Sequence, residues 1–421
     1  ARMAASEPLE AAWARVEADA SDYAAWVAVV VEAEKVVHSP DPLRRALDGL
    51  LSEWPLCYGY WKRLADHELR HNGEETATGV YERAVIPCKF SVEMWTLYTA
   101  HAVAHWKEPE KVRRLFERGV SVVGSDYRAD PLWDRYIAYE SSLADATATA
   151  DHSRVAAIYL RLLQLPLKAL DAFWLRFQQL AATHPCSELL DERAEAELRA
   201  LLTKHGAAPS ATPAAEGDDE GARKLRVLPL LEARYQLTRS THAERLGMEA
   251  QIRRRHFHIR PQDSSELRHW RRFLRWEESK QDKAQVITTY ERCLVPCCLY
   301  ADVWLRYVRY LEEQGLVSDA RQVFERASSI FLKRRVAIIL SHAMFEEEHG
   351  QLQEARALCL KAVALRPPSL EAILAQANLE RRSGQLDAMR TAFEGGIQVL
   401  RGENLAYLVR HAARVEKQLC G

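Results

Sequence analysis

Tryptophan recurs along this chain at a nearly fixed interval. Trp26, Trp61 and Trp95 are spaced by 35 and 34 residues, Trp133 and Trp174 follow at 38 and 41, and Trp270 and Trp304 are again 34 apart. Beyond them Gly315, Gly350 and Gly384 keep intervals of 35 and 34, each closing a run such as Tyr310-Leu-Glu-Glu-Gln-Gly315. A second motif, aromatic-Glu-Arg, falls between the tryptophans at Tyr81-Glu82-Arg83, Phe116-Glu117-Arg118, Tyr290-Glu291-Arg292 and Phe324-Glu325-Arg326. Two motifs alternating within one period mean two elements per repeat. Self-similarity at this period marks a stacked array, not a single core.

Both elements read as helices. Trp61, Leu64 and Glu68 lie at i, i+3 and i+7, as do Trp133, Tyr136 and Glu140, and Trp270, Phe273 and Glu277; residues at these offsets share one helical face. No strand-like alternation of useful length competes. Gly73, Gly315, Gly350 and Gly384 supply helix stops, and Pro87, Pro166 and Pro296 follow second helices, which Pro can end but not continue. First helices centre near residues 26, 61, 95, 133, 174, 270, 304, 340 and 375, with a partial one near 407. The fold class is therefore all-α, an α-solenoid of about nine helical hairpins in two arms. One hairpin cannot bury its apolar face alone, so neighbours must stack. Trp26, Trp61, Trp95, Trp133, Trp174, Trp270 and Trp304 form the expected repeat core, where each buries roughly 150–250 Å². The Glu and Arg of the second helices are expected to pair with polar groups of adjacent helices and so to specify stacking.

The period breaks between Trp174 and Trp270. Residues 206–222 are small, acidic and rich in Pro and Gly, which reads as a flexible linker. An N-terminal arm over 1–205 precedes it. A connector helix is expected within 223–262, with a helical segment over 223–255, and a C-terminal arm with a dimerisation end over 263–421.

Composition narrows the function classes. The chain carries 58 basic and 59 acidic residues for a net charge of −1, so nucleic-acid contact must come from a local patch. No apolar run reaches the length of a membrane span, and the first ten residues lack a basic-then-apolar leader. The eight Cys are accordingly expected to be reduced, mostly buried thiols of a cytosolic or nuclear protein. Phosphate-loop, dinucleotide, nucleophile-elbow and zinc-protease motifs are all absent from the sequence. The chain reads as non-enzymatic, with no cofactor and no metal.

Trp-x-x-Tyr/Phe-x-x-x-Glu in one helix and aromatic-Glu-Arg-Ala in the next resemble the half-a-TPR repeat. Ile252-Arg-Arg-Arg-His-Phe-His-Ile-Arg-Pro261, Leu267-Arg-His-Trp-Arg-Arg-Phe-Leu-Arg-Trp-Glu277, the run from Tyr290 to Trp304 and Ala343-Met-Phe-Glu-Glu-Glu-His-Gly350 narrow this to the pre-mRNA-processing factor 39 family. His256 stands where that family has Tyr, and Arg255 where it has Pro. The resemblance implies a nuclear, non-catalytic scaffold of the U1 small nuclear ribonucleoprotein, which selects the 5′ splice site. It also implies a homodimer or paralogue heterodimer through the C-terminal repeats, and contact with the particle's zinc-finger subunit. A scaffold of mRNA 3′-end cleavage and polyadenylation, or a generic TPR-type adaptor, is the alternative.

Two surfaces stand out as candidate sites. Arg253, Arg254, Arg255, Arg260, Arg268, Arg271, Arg272 and Arg275 crowd one stretch with only Asp263 and Glu266 against them. The cluster suits RNA phosphate or an acidic partner; equally, it suits a solvated face paired to Glu of neighbouring repeats. Leu405, Tyr407, Leu408, His411, Ala412, Val415 and Leu419 form an apolar stripe with no following repeat. It either tucks onto its own last hairpin or serves as a dimerisation face, and the resemblance favours the second. Cys293, Cys297 and Cys298 lack a second ligand pair at zinc spacing and read as buried thiols. His256 and His258 read as packing residues.

Overall fold

The computed structural model describes residues 7–36, 39–146, 152–190, 192–205 and 220–420. Helices make up the regular structure of these residues, and no strand occurs among them. The chain divides into two compact units, Ala1–Pro296 and Cys297–Gly421.

The first unit opens with Glu7–Ala18 and continues with four hairpins: Tyr23–Glu34 with Asp41–Glu53, Tyr58–Asn72 with Glu74–Ala84, Val92–His105 with Pro109–Val123, and Asp130–Asp145 with Ser153–Leu162. Leu170–Thr183 then lacks an ordinary partner. A short turn of helix, Cys186–Leu189, and Glu192–Lys204 follow it, and the long helix Glu220–Glu249 takes the partner's role. Tyr235 stacks on Trp174 at 4.9 Å, its hydroxyl donates to Asp171, and Thr238 donates to the Leu163 carbonyl. The sixth hairpin is Ser264–Ser279 with Lys283–Cys297. The second unit holds Ala301–Glu313 with Val317–Arg326, Val336–Glu348 with Leu352–Ala364, Leu370–Arg382 with Leu386–Val399, and the terminal helix Gly402–Cys420.

The local signals act as their chemistry dictates. Asp22, Ser91 and Ser369 cap helices by accepting from Ala24, Met94 and Ala372 N–H. Gly315, Gly350 and Gly384 sit at φ 74°, 77° and 78°. There the next residue's N–H reaches back to Leu311, Glu346 and Glu380 carbonyls, the left-handed stop that glycine takes without strain. In the sixth hairpin Gln281 occupies the same region, at φ 58°. Pro296, a stop signal by sequence, lies inside its helix. In the last turn a missing N–H and a ring clash interrupt one bond only, so the helix closes one residue later. Pro229 lies inside Glu220–Glu249.

All seven repeat tryptophans are buried, from Trp26 at 7% exposure to Trp304 at 0%. The N–H groups of Trp26, Trp61, Trp95 and Trp304 donate to the carbonyls of Ala20, Pro55, Lys89 and Cys298, and that of Trp133 to Gly124. Above four of these rings lies the Arg of the second helix of the same hairpin: Arg83 over Trp61, Arg118 over Trp95, Arg161 over Trp133 and Arg326 over Trp304, at 5.2–5.6 Å from guanidinium to ring centre. Within the first unit these Arg also reach one hairpin back, to Asp48, Glu82 and Glu117. A second series joins an Arg of a second helix to the buried Glu of the next first helix in four places, Arg44–Glu68, Arg113–Glu140, Arg321–Glu346 and Arg356–Glu380. The expected pairing between hairpins is thus present, rung by rung.

Where the regular spacing fails, one rung is rerouted. Arg292 is buried and ion-paired to Glu249 on the long helix, and its Nε lies 3.0 Å from Asp126 Oδ2. Ser125 and Thr288 hydroxyls meet at 3.2 Å. These ties place the sixth hairpin in the first compact unit, although by sequence it opens the C-terminal arm. The linker expected over 206–222 lies outside the described residues except for 220–222, which already begin the long helix; that helix ends at Glu249, short of residue 255.

Candidate functional site

The basic cluster is divided by the backbone that carries it. Residues 251–263 form an irregular segment between two helices. Ile252 and Gln262 are buried, Phe257 is half-buried, and Arg253, His256, His258 and Arg260 are exposed. Phe257 stacks on Trp54 with ring centres 6.1 Å apart, His256 packs against Tyr58, and His256 Nδ1 lies 3.4 Å from a Glu93 carboxylate oxygen. Arg254 donates to the carbonyls of Arg260 and Pro261 at 2.6 and 3.0 Å and closes the segment on itself. Arg255 donates to the Ile252 carbonyl. Arg254 and Arg255 are thus half-buried and held by backbone carbonyls of their own segment. Side-chain direction in an irregular segment follows no period that sequence could reveal. Arg253 and Arg260 remain exposed.

The other four Arg are set by helical geometry. Arg268, Arg271, Arg272 and Arg275 fall at i, i+3, i+4 and i+7 of Ser264–Ser279, so they project from one face. All four are exposed. With Gln251 and Ser265 they line a shallow groove of about 410 Å³ that contains no carboxylate. Arg272 donates to Gln251 and lies 3.1 Å from His269 Nδ1, while Arg268 and Arg275 donate to the Ser264 and Arg271 carbonyls. These bonds hold the stems without neutralising charge. Arg268, Arg272 and Arg275 have no carboxylate partner among the described residues. The alternative of a face internally paired to Glu does not hold for these three.

A second cleft, about 230 Å³, is lined by Glu93, Arg128, Lys168, Arg255, Trp270 and Arg292 among others. Here the repeat pattern is broken, because the buried Trp270 N–H finds no acceptor, and Arg128 Nε and Arg255 Nε are likewise buried without one. Burial first, then the neighbouring Arg255 charge, pulls the Arg128 guanidinium below its ordinary pKa. For Arg292 burial works the same way, but Asp126 and Glu249 more than reverse it and raise its pKa.

Family profiles for the PRP39 N-terminal HAT repeat and the PRP39 C-terminal HAT repeat match residues 10–179 and 243–382, well over half of the sequence between them. The chain belongs to the PRP39 family. Pre-mRNA-processing factor 39-2 of Arabidopsis thaliana is 32% identical over 416 residues, covering 93% of this chain and 39% of that protein. Pre-mRNA-processing factor 39 of Schizosaccharomyces pombe is 30% identical over 387 residues, covering 88% of this chain and 62% of that protein. This chain thus spans less than two thirds of the length of either relative. Among solved structures, that of CstF-77 aligns with a TM-score of 0.43 at 13% identity, covering 86% of this chain and 80% of that one.

The PRP39 phrase from Ile252 to Pro261 is thus, in this chain, divided: Ile252 is buried and Phe257 stacks on Trp54, while Arg253, His256, His258 and Arg260 are exposed. The apolar stripe near the C-terminus is likewise divided. Leu408 and Val415 are buried with Ile373, Met389 and Phe393, and Leu405 and Ala412 pack against the same cluster. These residues already cover their own last hairpin, so for Leu408 and Val415 a direct dimer contact is corrected to an intramolecular one. Tyr407 and Leu419 stay 49% and 41% exposed. His411 stacks on Tyr407, and its buried Nε2 has no partner. Cys293, Cys297 and Cys298 are buried. No helix is long and apolar enough to cross a membrane among the described residues. The fold also gathers His152, His184 and Glu188, three side chains of metal-ligand type that no sequence spacing connects.

Proposed function

We propose that this chain is a nuclear, non-catalytic scaffold in pre-mRNA splicing. It associates with the U1 small nuclear ribonucleoprotein and supports recognition of the 5′ splice site. The observation that carries the reading is the PRP39 repeat match over both halves of the chain, joined to relatives named as pre-mRNA-processing factors. A stack of hairpins held by neighbour-to-neighbour rungs presents long surfaces and suits bridging more than chemistry. The particle is contacted through the groove of Arg268, Arg271, Arg272 and Arg275, where the positive charge of Arg268, Arg272 and Arg275 suits RNA phosphate or an acidic protein segment. The zinc-finger subunit of the particle is a protein partner. The exposed Tyr407 and Leu419 contribute to a homodimer or paralogue heterodimer through the C-terminal repeats.

The test is affinity purification from nuclear extract with sequencing of the recovered RNA and proteins. U1 RNA and its proteins should be enriched, and Arg268→Glu with Arg271→Glu and Arg272→Glu should reduce that enrichment while leaving the circular dichroism unchanged. Recovery of cleavage and polyadenylation factors without U1 RNA would overturn the assignment.

A further inference from the structure

We propose that His152, His184 and Glu188 bind a zinc ion, with Asp145 as the supporting or fourth ligand. The three residues come from separate places. His152 precedes the helix Ser153–Leu162, His184 follows Leu170–Thr183, and Glu188 lies in the short helix Cys186–Leu189. Each offers one ligand atom, and these atoms all lie within 4.8 Å of one another. The imidazole rings are 4.3 Å apart, tilted by 52°. Zinc bonds of ~2.0–2.1 Å in a tetrahedral site set ligand atoms about 3.3–3.5 Å apart. His184 and Glu188 are only half-buried, which leaves their side chains room to rotate towards a shared ion.

The surroundings orient the ligands. His184 Nδ1 lies 3.0 Å from the Leu180 carbonyl. When that nitrogen carries the proton and donates, Nε2 presents its lone pair, as ligating histidines do when their other nitrogen is held by an acceptor. Asp145 Oδ1 lies 3.3 Å from His152 Nε2, the carboxylate that either completes the set or holds that ring. The His152 backbone N–H donates to Glu188 Oε2 at 3.4 Å. Two imidazoles with carboxylate oxygen suit zinc and its first-row neighbours. Calcium and magnesium prefer sets built from oxygen alone.

The position gives the ion a purpose. Here the regular stack loses its period, because Leu170–Thr183 has no ordinary second helix next to it. A zinc ion would tie the end of the fourth first-helix, the start of its partner and the turn after the fifth into one corner. It would cap the regular hairpins before the long helix takes over.

The experiment uses the full chain, stripped with chelator and dialysed. Titration with Co²⁺ should give the visible absorption of a four-coordinate complex at one ion per chain, and Zn²⁺ should displace it and raise the melting temperature. His184→Ala and Glu188→Ala should abolish the spectrum, with far-UV circular dichroism confirming that each still folds. Asp145→Asn should weaken binding by roughly 10–100-fold. Two other close pairs, His67–His71 and His101–His105, provide the control: His71→Ala with His105→Ala should leave the signal intact. Failure of the stripped chain to take up stoichiometric metal would overturn the proposal. So would a signal that survives His184→Ala, or one that disappears in the His71/His105 variant.

Discussion

Replacing Arg292 with methionine removes one cation from between two buried carboxylates. The guanidinium serves Glu249 through two bonds, one of 2.8 Å, and Asp126 at 3.0 Å. The side chains of Glu249 and Asp126 are 1% and 10% exposed. Neither can turn to water without opening the contact between the long helix and the sixth hairpin. Breaking a buried ionic set by deleting one member costs about 3–5 kcal/mol, roughly two to nearly four orders of magnitude in the unfolding constant at ~1.4 kcal/mol per tenfold. Ten of the 11 tryptophans precede residue 297, so urea unfolding followed by tryptophan fluorescence reports almost wholly on the first unit. At an m-value of ~3 kcal/mol/M the midpoint should fall by about 1 M or more. Arg292→Met combined with Glu249→Leu and Asp126→Asn should recover most of the loss, since exchanging a whole buried ionic set for uncharged groups is often close to neutral. A loss below about 1 kcal/mol in the single variant would refute the reasoning, because surface ion pairs are worth that little. So would a triple variant weaker than the single one.

Two further outcomes follow from the rungs and the rings. Burial pushes the Glu68 carboxyl up, but hydrogen bonds from Arg44 and Asn72 carry it below its ordinary value. A folded pKa below the unfolded one contributes stability above the ordinary Glu value of about 4.3, and that stability is lost as pH falls through the folded value. The urea midpoint of Arg44→Met should thus lie below wild type at neutral pH and converge with it as pH drops through the carboxylate range; a constant gap would refute the pairing. A Cβ on Gly49 would sit 2.3 Å from a Trp26 ring carbon, whereas one on Gly79 would meet nothing within 4 Å. Gly49→Ala should therefore destabilise by about 1–3 kcal/mol from overpacking, against a helix-propensity gain of ~1 kcal/mol. Gly79→Ala should stabilise by up to about 1 kcal/mol, so thermal melts that move in the same direction for both would contradict the packing described.

Helix positions were legible wherever chemistry repeats. Trp, Glu at i+7 and the left-handed Gly each act within one or two turns, so their spacing carries through to the fold. Arg292 shows where that legibility ends. Its aromatic-Glu-Arg motif reads like those of Arg83 and Arg118, yet its partners lie on the long helix and on the turn at Asp126, because the preceding hairpin has no ordinary second helix. The same limit applied to the basic cluster. Helical offsets placed Arg268, Arg271, Arg272 and Arg275 together on one face, but nothing in Arg254 and Arg255 announced that their guanidinium groups would turn onto carbonyls. His152 and His184 sit in separate connections that only folding brings together. At the C-terminal end the apolar offsets of Leu408 and Val415 fitted an own-chain core and a partner face equally well.

The rungs described for the first four hairpins link each hairpin only to its immediate neighbours. A duplicated hairpin inserted among them would arrive with an Arg for the acid behind it and an acid for the Arg ahead. By its rungs alone such a stretch could grow by whole units, but Trp54, Tyr58, Glu93 and Asp126 along it also meet Phe257, His256 and Arg292, so an inserted hairpin would pull those contacts apart. The sixth hairpin has given up that interchangeability. With Arg292 committed to Glu249 and Asp126, its place is tied to one particular helix and one particular turn. Lengthening the array at this point would require new partners to be invented, and lengthening it between Trp54 and Asp126 would separate contacts that the connecting segment and the sixth hairpin hold together.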